Sequence, residues 1–415
     1  MSPAVPRQDA IWAKQVGTAL ARCSAREGEI KLPLLWTGLL ALIALGWIGA
    51  CVILVRGVAR LKRLEQIAPA ADADCPPISV LVAARDEEEK LPRALATLLA
   101  LDYPGYELIV VNDRSRDATP RILDEHAQRD SRLKVVHLSE LPRGWLGKTH
   151  ALQKASERAQ SDWLLITDAD VRFHASVLRR AVTFVRENQL DHLTIFADVE
   201  LEGFWEKTVV SYWVLGFQLR FQPWRVSNPR ARQYMGVGAF QLIRRPAFEA
   251  IGEYKRLALE VVDDVRLGYL VKRAGLRSGV LIGDELLRVR WQEGLGNIIR
   301  GLTKNAFAAL HYSVLETLAN LILLLGLSLL PFFAVVLAVG IPQLLAGIGV
   351  AAMLFVHAYA ARQLRLSPLY GLTHPLGALL FGYILVRSMV VTLWRGGVVW
   401  RETYYSLEEL RRGMV

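Results

Sequence analysis

The segment SDWLLITDAD, Ser161 to Asp170, decides the fold. Its apolar run, Trp163 to Ile166, is long enough for one buried strand of a parallel sheet and stops at Thr167, before two carboxylates one residue apart. In an open α/β sheet, ligands bind outside the carboxyl ends of the strands. Asp168 and Asp170, two hard oxygen ligands separated by the small Ala169, suit a divalent cation carrying a diphosphate. An isolated Asp-x-Asp is more often a solvated turn. The flanking segments shift that balance.

Upstream, the loop LPRGWLGKTHALQKA (Leu141–Ala155) sets Gly144 and Gly147 around Trp145 and places Lys148 at the start of a helix. A lysine there opposes the helix dipole unless an anion sits beside it, so Lys148 is a candidate diphosphate contact, with a solvated lysine as the alternative. Earlier still, YELIVVNDRSRD (Tyr106–Asp117) gives a strand over Leu108 to Val111 that ends at Asn112-Asp113. Ser115 or Asp117 can cap a helix beginning near Pro120, and a further strand covers Leu133 to Val136. The first unit, PPISVLVAARDEEEKL, gives a strand over Ile78 to Ala83. Asp86, Glu87, Glu88 and Glu89 then crowd the start of a helix carrying Leu91, Leu95 and Leu98. Those acids complement the helix dipole or approach a nucleotide. Repeated βα units predict a parallel, doubly wound sheet.

Downstream, a helix covers Ala175 to Asn188, and a strand over Leu193 to Ala197 ends at Asp198. The segment Gly203 to Arg220 is rich in aromatics, which fits either core or an interfacial surface. In QYMGVGAFQLIRR, the pair Gly236 and Gly238 allows either a close approach by a ligand or a tight turn. Asp263-Asp264 stand ahead of a helix with Leu267, Leu270 and Val271 on its buried face. Asp264 can cap that helix, but two adjacent carboxylates exceed what capping needs, and their repulsion raises one pKa towards that of a general base. Trp291, Ile298, Ile299, Leu302 and Phe307 then fit an amphipathic helix near 294–309, lying along a membrane. Its Arg300 and Lys304 face lipid headgroups or close over a diphosphate.

At 415 residues and 53% hydrophobic, with a positive mean hydropathy, the chain holds more than one globular domain. Leu32 to Val55 is an uncharged run of bilayer-crossing length, followed by Arg56, Arg60, Lys62 and Arg63, a flank that belongs in the cytoplasm. The run is too long, and begins too far in, for a signal peptide. Apolar runs at Leu318–Gly340, Ile341–Ala361 and Leu372 to about Leu393 give three more spans within 318–394. The last contains Arg387, so it is short, packed on protein or partly interfacial. Residues 1–31 form a mixed, weakly amphipathic segment, Ile67 to Pro77 reads as a linker, and 395–415 as a tail. The net charge of +10 is spread along the chain and thickens beside the spans. No basic block is interleaved with aromatics as nucleic-acid binding requires, so lipid headgroups and a nucleotide are the simpler partners. Cys23, Cys51 and Cys75 indicate neither a disulfide framework nor a zinc site.

In their order, ISVLVAARDEE, NDRSRD, GWLGKTHAL, ITDAD and VVDD resemble the membrane-bound, inverting family 2 glycosyltransferases, from about Pro76 to Ala309. The resemblance implies a GT-A fold: an α/β, Rossmann-like, mostly parallel sheet over 76–309, here cytoplasmic, with transmembrane helices at both ends of the chain. It places Ala84, Glu87 and Asp113 by the uridine of a UDP-sugar. Asp168 and Asp170 become the D-x-D that holds the diphosphate through Mg²⁺ or Mn²⁺, Asp264 the catalytic base, and Lys148 the lysine that precedes the family's Ala-Leu pair. Polysaccharide-extending members carry Q-x-x-R-W after the base, where this chain has RGLTKN at Arg300–Asn305. The turn reads NDRSRD instead of the commoner DDGSTD. The chain therefore looks more like the branch that glycosylates hopanoids, carotenoids or ceramide-like lipids. Transfer of one sugar to a lipid at the cytoplasmic face of a bacterial inner membrane is the expectation. A processive polysaccharide synthase and a non-catalytic lipid-binding or scaffold protein are the alternatives.

Overall fold

The computed structural model describes residues 34–414, so the 1–31 segment and the first two residues of the 32–55 run lie outside the described residues. The strands in chain order are β1 (Lys62–Arg63), β2 (Ile78–Ala84), β3 (Tyr106–Asp113), β4 (Leu133–Leu138), β5 (Trp163–Asp168) and β6 (Val171–Phe173). They continue with β7 (His192–Phe196), β8 (Asp198–Val199), β9 (Gln241–Arg244), β10 (Ser278–Ile282) and β11 (Leu287–Val289). Eight of them form one sheet in the order β1-β10-β7-β9-β5-β2-β3-β4, while β6-β11-β8 make a small second sheet. Parallel pairing of β2 with both β3 and β5 sets the doubly wound core that the repeated units predict. One element departs from that pattern: β9 runs antiparallel to both β5 and β7. Its Gln-Leu-Ile-Arg run reads as a strand, but direction depends on the path of the chain.

Alternation along β2 explains the two cores. Ile78, Val80, Val82 and Ala84 point into one apolar cluster, with Leu95 of α2 (Leu91–Leu99) and Val182 of α5 (Val177–Glu187). Leu81 points into the other, with Leu152 of α4 (Gly147–Arg158), Phe248 of α7 (Arg245–Ala250) and Leu267 of α8 (Asp263–Arg273). A parallel sheet buried on both faces is the result. Between β3 and β4 runs α3 (Thr119–Ala127).

Several expectations are corrected in detail. The acids 86–89 precede α2, which begins only at Leu91 with no acid in its first turn. They form a loop tied to the β3–α3 turn instead: the Glu87 N–H donates to Thr119 Oγ1 at 2.9 Å, and the Glu88 N–H to Asp117 Oδ2 at 2.9 Å. Asp117 also accepts from the Thr119 N–H, whereas Ser115 Oγ accepts from the Asp86 N–H. Residues 67–77 are not a loose linker. Arg179 and Arg180 of α5 donate to the carbonyls of Ala70 and Ile67, and Arg186 to that of Asp74.

Four helices are long and apolar enough to cross a membrane, judged by length and composition: Leu34–Val58 (α1), Val314–Leu337 (α10), Ile341–Gln363 (α11) and the stretch Pro368–Arg395, which contains α12 (His374–Arg395). Trp47 of α1 donates to the Leu327 carbonyl of α10 at 3.0 Å. Gly349 of α11 faces Ala44 of α1. Beneath the eight-stranded sheet, α6 (Gly203–Phe221) and α9 (Gly294–Ala309) pack on α12. The aromatics of α6 divide: Tyr212 is buried against His374 and His357, while Phe204 and Trp205 remain exposed.

Candidate active site

The carboxyl end of β5 delivers Asp168, and the first turn of α8 delivers Asp263 and Asp264. Gly238 joins them. Its carbonyl accepts from the Asp168 N–H at 2.9 Å, and its own N–H donates to Asp264 Oδ2 at 3.0 Å. A Cβ at position 238 would stand 2.2 Å from Asp168 Oδ2, and one at Gly236 would stand 2.0 Å from the Asp264 carbonyl oxygen. Both glycines therefore exist for close approach, and the approaching groups are the site's own carboxylates and backbone.

Lys148, the second residue of α4, is the anion partner its position demanded. Its Nζ lies 2.7 Å from Asp168 Oδ1 and 3.6 Å from Asp263 Oδ1. Burial pulls the ammonium's pKa down, but Asp168, Asp263 and Asp264 more than reverse this and hold it well above the usual lysine value. Asp263 is buried, and desolvation, set against the lowering by Lys148 and reinforced by Asp264, pushes it up to about 6. Asp264 is also raised, first by burial, yet its side chain stays partly accessible and accepts from the Val265 and Gly238 N–H groups. Of the two, Asp264 is the more accessible carboxylate. Asp170 is pushed up to about 7 by burial, then by Asp168 and Glu87, with Lys90 Nζ 4.0 Å away opposing.

The residues expected beside a nucleoside assemble at the ends of β2 and β3. Ala84 closes β2, fully buried, and Asp113 closes β3, buried, with Arg114 Nε at 2.7 Å and Arg85 Nη1 at 3.7 Å. Gly147 is required here too, since a Cβ would stand 2.1 Å from Asp113 Oδ2. Arg300 and Lys304 separate: Arg300 is exposed and bonds Asn297 on its own helix, whereas Lys304 turns inward over the Trp400 ring, 3.4 Å from its centroid. Burial, then Lys148, pulls Lys304 down to about 7. Sequence reasoning missed Arg85, Lys90, Trp400, Arg401 and Glu402. The last three lie nearly a hundred residues beyond Lys304, in a stretch without a motif.

A divalent cation fits this donor set. Among the described residues no group of three or more His, Cys, Asp or Glu side chains is placed to hold a metal, and a cation shared with a diphosphate would take Asp168 and Asp170 as its protein oxygens. Mg²⁺ and Mn²⁺ sites that share their ion with a substrate diphosphate ask for little more. Asp168 gives one oxygen to Lys148, and Gly238, by lacking a Cβ, leaves the other uncovered.

Comparison with known proteins bears on the fold and the family. Residues 79–252 match the model of glycosyl transferase family 2. A beta-monoglucosyldiacylglycerol synthase of Synechocystis sp. is 27% identical over 302 residues, covering 65% of this chain and 60% of that protein. The poly-beta-1,6-N-acetyl-D-glucosamine synthase of Staphylococcus epidermidis is 36% identical over 93 residues, covering 22% of this chain and 21% of that one. The chain thus spans about 60% of the length of the synthase it matches most broadly of these two. In fold it is similar to a mannosyltransferase of Pyrobaculum calidifontis solved with GDP-Man and Mn2+, at a TM-score of 0.54 and 19% identity, covering 87% of this chain and 99% of that one. The sheet around Asp168 is therefore a GT-A sheet in fold, and residues 79–252 are similar to the glycosyl transferase family 2 domain.

Proposed function

We propose that this protein is an inverting glycosyltransferase that moves one sugar from a nucleotide-sugar, UDP-linked in our reading, to a membrane lipid at the cytoplasmic face. The observation that carries the reading is the placement of Asp168 and Asp264 on the two polar groups of a single residue, Gly238. One carboxylate serves the leaving diphosphate and the other the incoming hydroxyl. Displacement at an anomeric carbon needs both at once. In this reading, a cation held by Asp168 and Asp170 supplies Lewis-acid stabilisation of the leaving diphosphate. Lys148 and Lys304 add positive charge, and Asp264 takes the proton of the acceptor hydroxyl.

A lipid acceptor follows from the surroundings. Exposed Leu379, Tyr383, Val386, Val390, Leu393 and Trp394 recur along one side of α12, a lipid-facing stripe directly beneath the site. The names of the relatives bring glucose and diacylglycerol forward as the first pair to test. Purified protein incubated with UDP-glucose, Mn²⁺ and diacylglycerol in mixed micelles should yield one new lipid, heavier by one hexose. A ladder of many sugars would assign a processive synthase instead, and no nucleotide binding with Mn²⁺ present would leave a lipid-binding scaffold.

A further inference from the structure

The chain's last segment is not a tail. Residues β12 (Gly397–Trp400) and β13 (Thr403–Ser406) pair as a hairpin, followed by α13 (Leu407–Arg412), and Val398, Tyr405 and Leu410 share an apolar cluster with Leu146 at the start of α4 and Phe307 of α9. The two turn residues, Arg401 and Glu402, have φ of +46° and +66°. A non-glycine residue held there costs on the order of 1 kcal/mol or more and persists where the surroundings over-determine it. Here they do so ionically. Arg401 donates through Nη2 to Glu87 Oε1 at 2.6 Å and through Nη1 to the Arg85 carbonyl, while Glu402 meets Arg116 at 2.9 Å and Arg85 at 4.0 Å. Every one of these partners lies just beyond the carboxyl ends of β2 and β3, at the mouth of the site.

Of four cations at this mouth, Lys148 and Lys90 lie beside Asp168 and Asp170, and Lys304 and Arg401 are held by neighbouring groups. Lys148 holds Asp168, Lys90 lies between Asp170 and Glu293 and donates to the Arg290 carbonyl, and Lys304 sits on the Trp400 ring. The fourth, Arg401, carries the one planar fork among them, the geometry that matches a phosphate through two parallel N–H donors. Its present carboxylate partner, Glu87, stands three residues before Lys90, whose Nζ lies 4.0 Å from Asp170. A diphosphate on the pair would therefore arrive beside the guanidinium.

We propose that Arg401 is a donor-binding residue whose guanidinium exchanges the Glu87 carboxylate for the donor's diphosphate, so that the C-terminal hairpin forms a wall of the donor site. This rests on the nucleotide-sugar reading above. The test is calorimetric titration of the full-length protein in detergent with UDP, GDP and UMP, each with Mn²⁺, for wild type, Arg401→Ala and Arg401→Lys. Losing charged hydrogen bonds to the terminal phosphate should lower UDP affinity tenfold or more in Arg401→Ala and spare UMP. Arg401→Lys, which keeps the charge and the packing but not the fork, should fall between. Wild-type UDP affinity in either variant overturns the proposal, as does an equal loss for UDP and UMP, which would make the hairpin a support for the pocket's shape. A wild-type protein that binds neither UDP nor GDP would instead fail the donor reading itself.

Discussion

Two neighbouring aspartates differ in what they can reach. Asp263 is buried against Lys148, whereas Asp264 is partly open and oriented by two backbone N–H groups. Asp264→Asn keeps the shape and the capping ability but cannot take a proton, so turnover should fall about 10²–10⁴-fold with donor affinity nearly unchanged. Asp263→Asn should cost less. Because burial raises both carboxylates, kcat/KM should decline as pH falls through a value above the ordinary carboxylate range, when the base becomes protonated. Near-normal turnover in Asp264→Asn beside an inactive Asp263→Asn would move the base by one residue. Gly238 carries a second prediction at this scale. Adding a methyl group 2.2 Å from Asp168 Oδ2 forces the carboxylate aside, so Gly238→Ala should lose about 1–3 kcal/mol, read as weaker Mn²⁺-dependent UDP binding by a protein that still folds. Unchanged affinity would show that Asp168 Oδ2 is not used.

Helix α9 carries Lys304 into the site, and its position depends on one carboxylate of α6. Glu206 accepts from Arg290 Nη1 at 2.6 Å and Nη2 at 3.0 Å, from the Glu202 N–H at 2.7 Å and from the Gly294 N–H at 2.5 Å, joining the first turns of both helices. The Arg290 bonds, against the opposing effect of burial, hold its pKa down to about 2. A depressed carboxylate stabilises the fold fully above its unfolded value of about 4.3 and loses that contribution as pH falls towards 2. Glu206→Gln leaves the half-buried Arg290 with only the exposed Glu202, 3.6 Å away, and should cost about 2 kcal/mol at pH 7. The Tm gap from wild type should be open at neutral pH and close between about pH 4 and pH 2. A gap that persists to pH 2 would mean that packing, not charge, is what the substitution removes.

On the scale of the whole molecule, the path of α12 decides on which side the chain finishes. Its first residue, His374, packs on Tyr212 of α6, and near its other end Ser388 bonds Phe307 and Thr303 of α9, with the hairpin following directly onto Glu87. Both ends of α12 thus contact the helices beneath the sheet, α6 and α9. By contrast, α10 leaves the sheet domain and α11 returns to it, where Arg365 meets Asp284 and Glu285. We expect α12 to lie along the membrane surface without crossing it. In a cysteine-free background, Val339→Cys in the α10–α11 turn should react with an impermeant maleimide added outside intact cells, and Glu408→Cys in α13 only after permeabilisation. Labelling of Glu408→Cys from outside would make α12 a true span.

Local sequence alone determined the βα units, the carboxylates at the ends of β5 and α8, Lys148 at the start of α4, and the apolar runs. Each is written in a pattern of fewer than about twenty residues: a strand-length apolar run, a helical period, or a charge at a helix terminus. The direction of β9, the strapping of residues 67–77 by α5, the separation of Arg300 from Lys304 and the return of residues 397–406 to the mouth of the site were decided only by tertiary structure. Pairing direction and long-range ion pairs depend on where distant segments come to rest, and Arg401 finds Glu87 across 314 positions that no local pattern spans. Burial, not sequence spacing, separates Asp263 from Asp264, because two identical side chains one position apart differ only in which of them the folded chain leaves open to an acceptor.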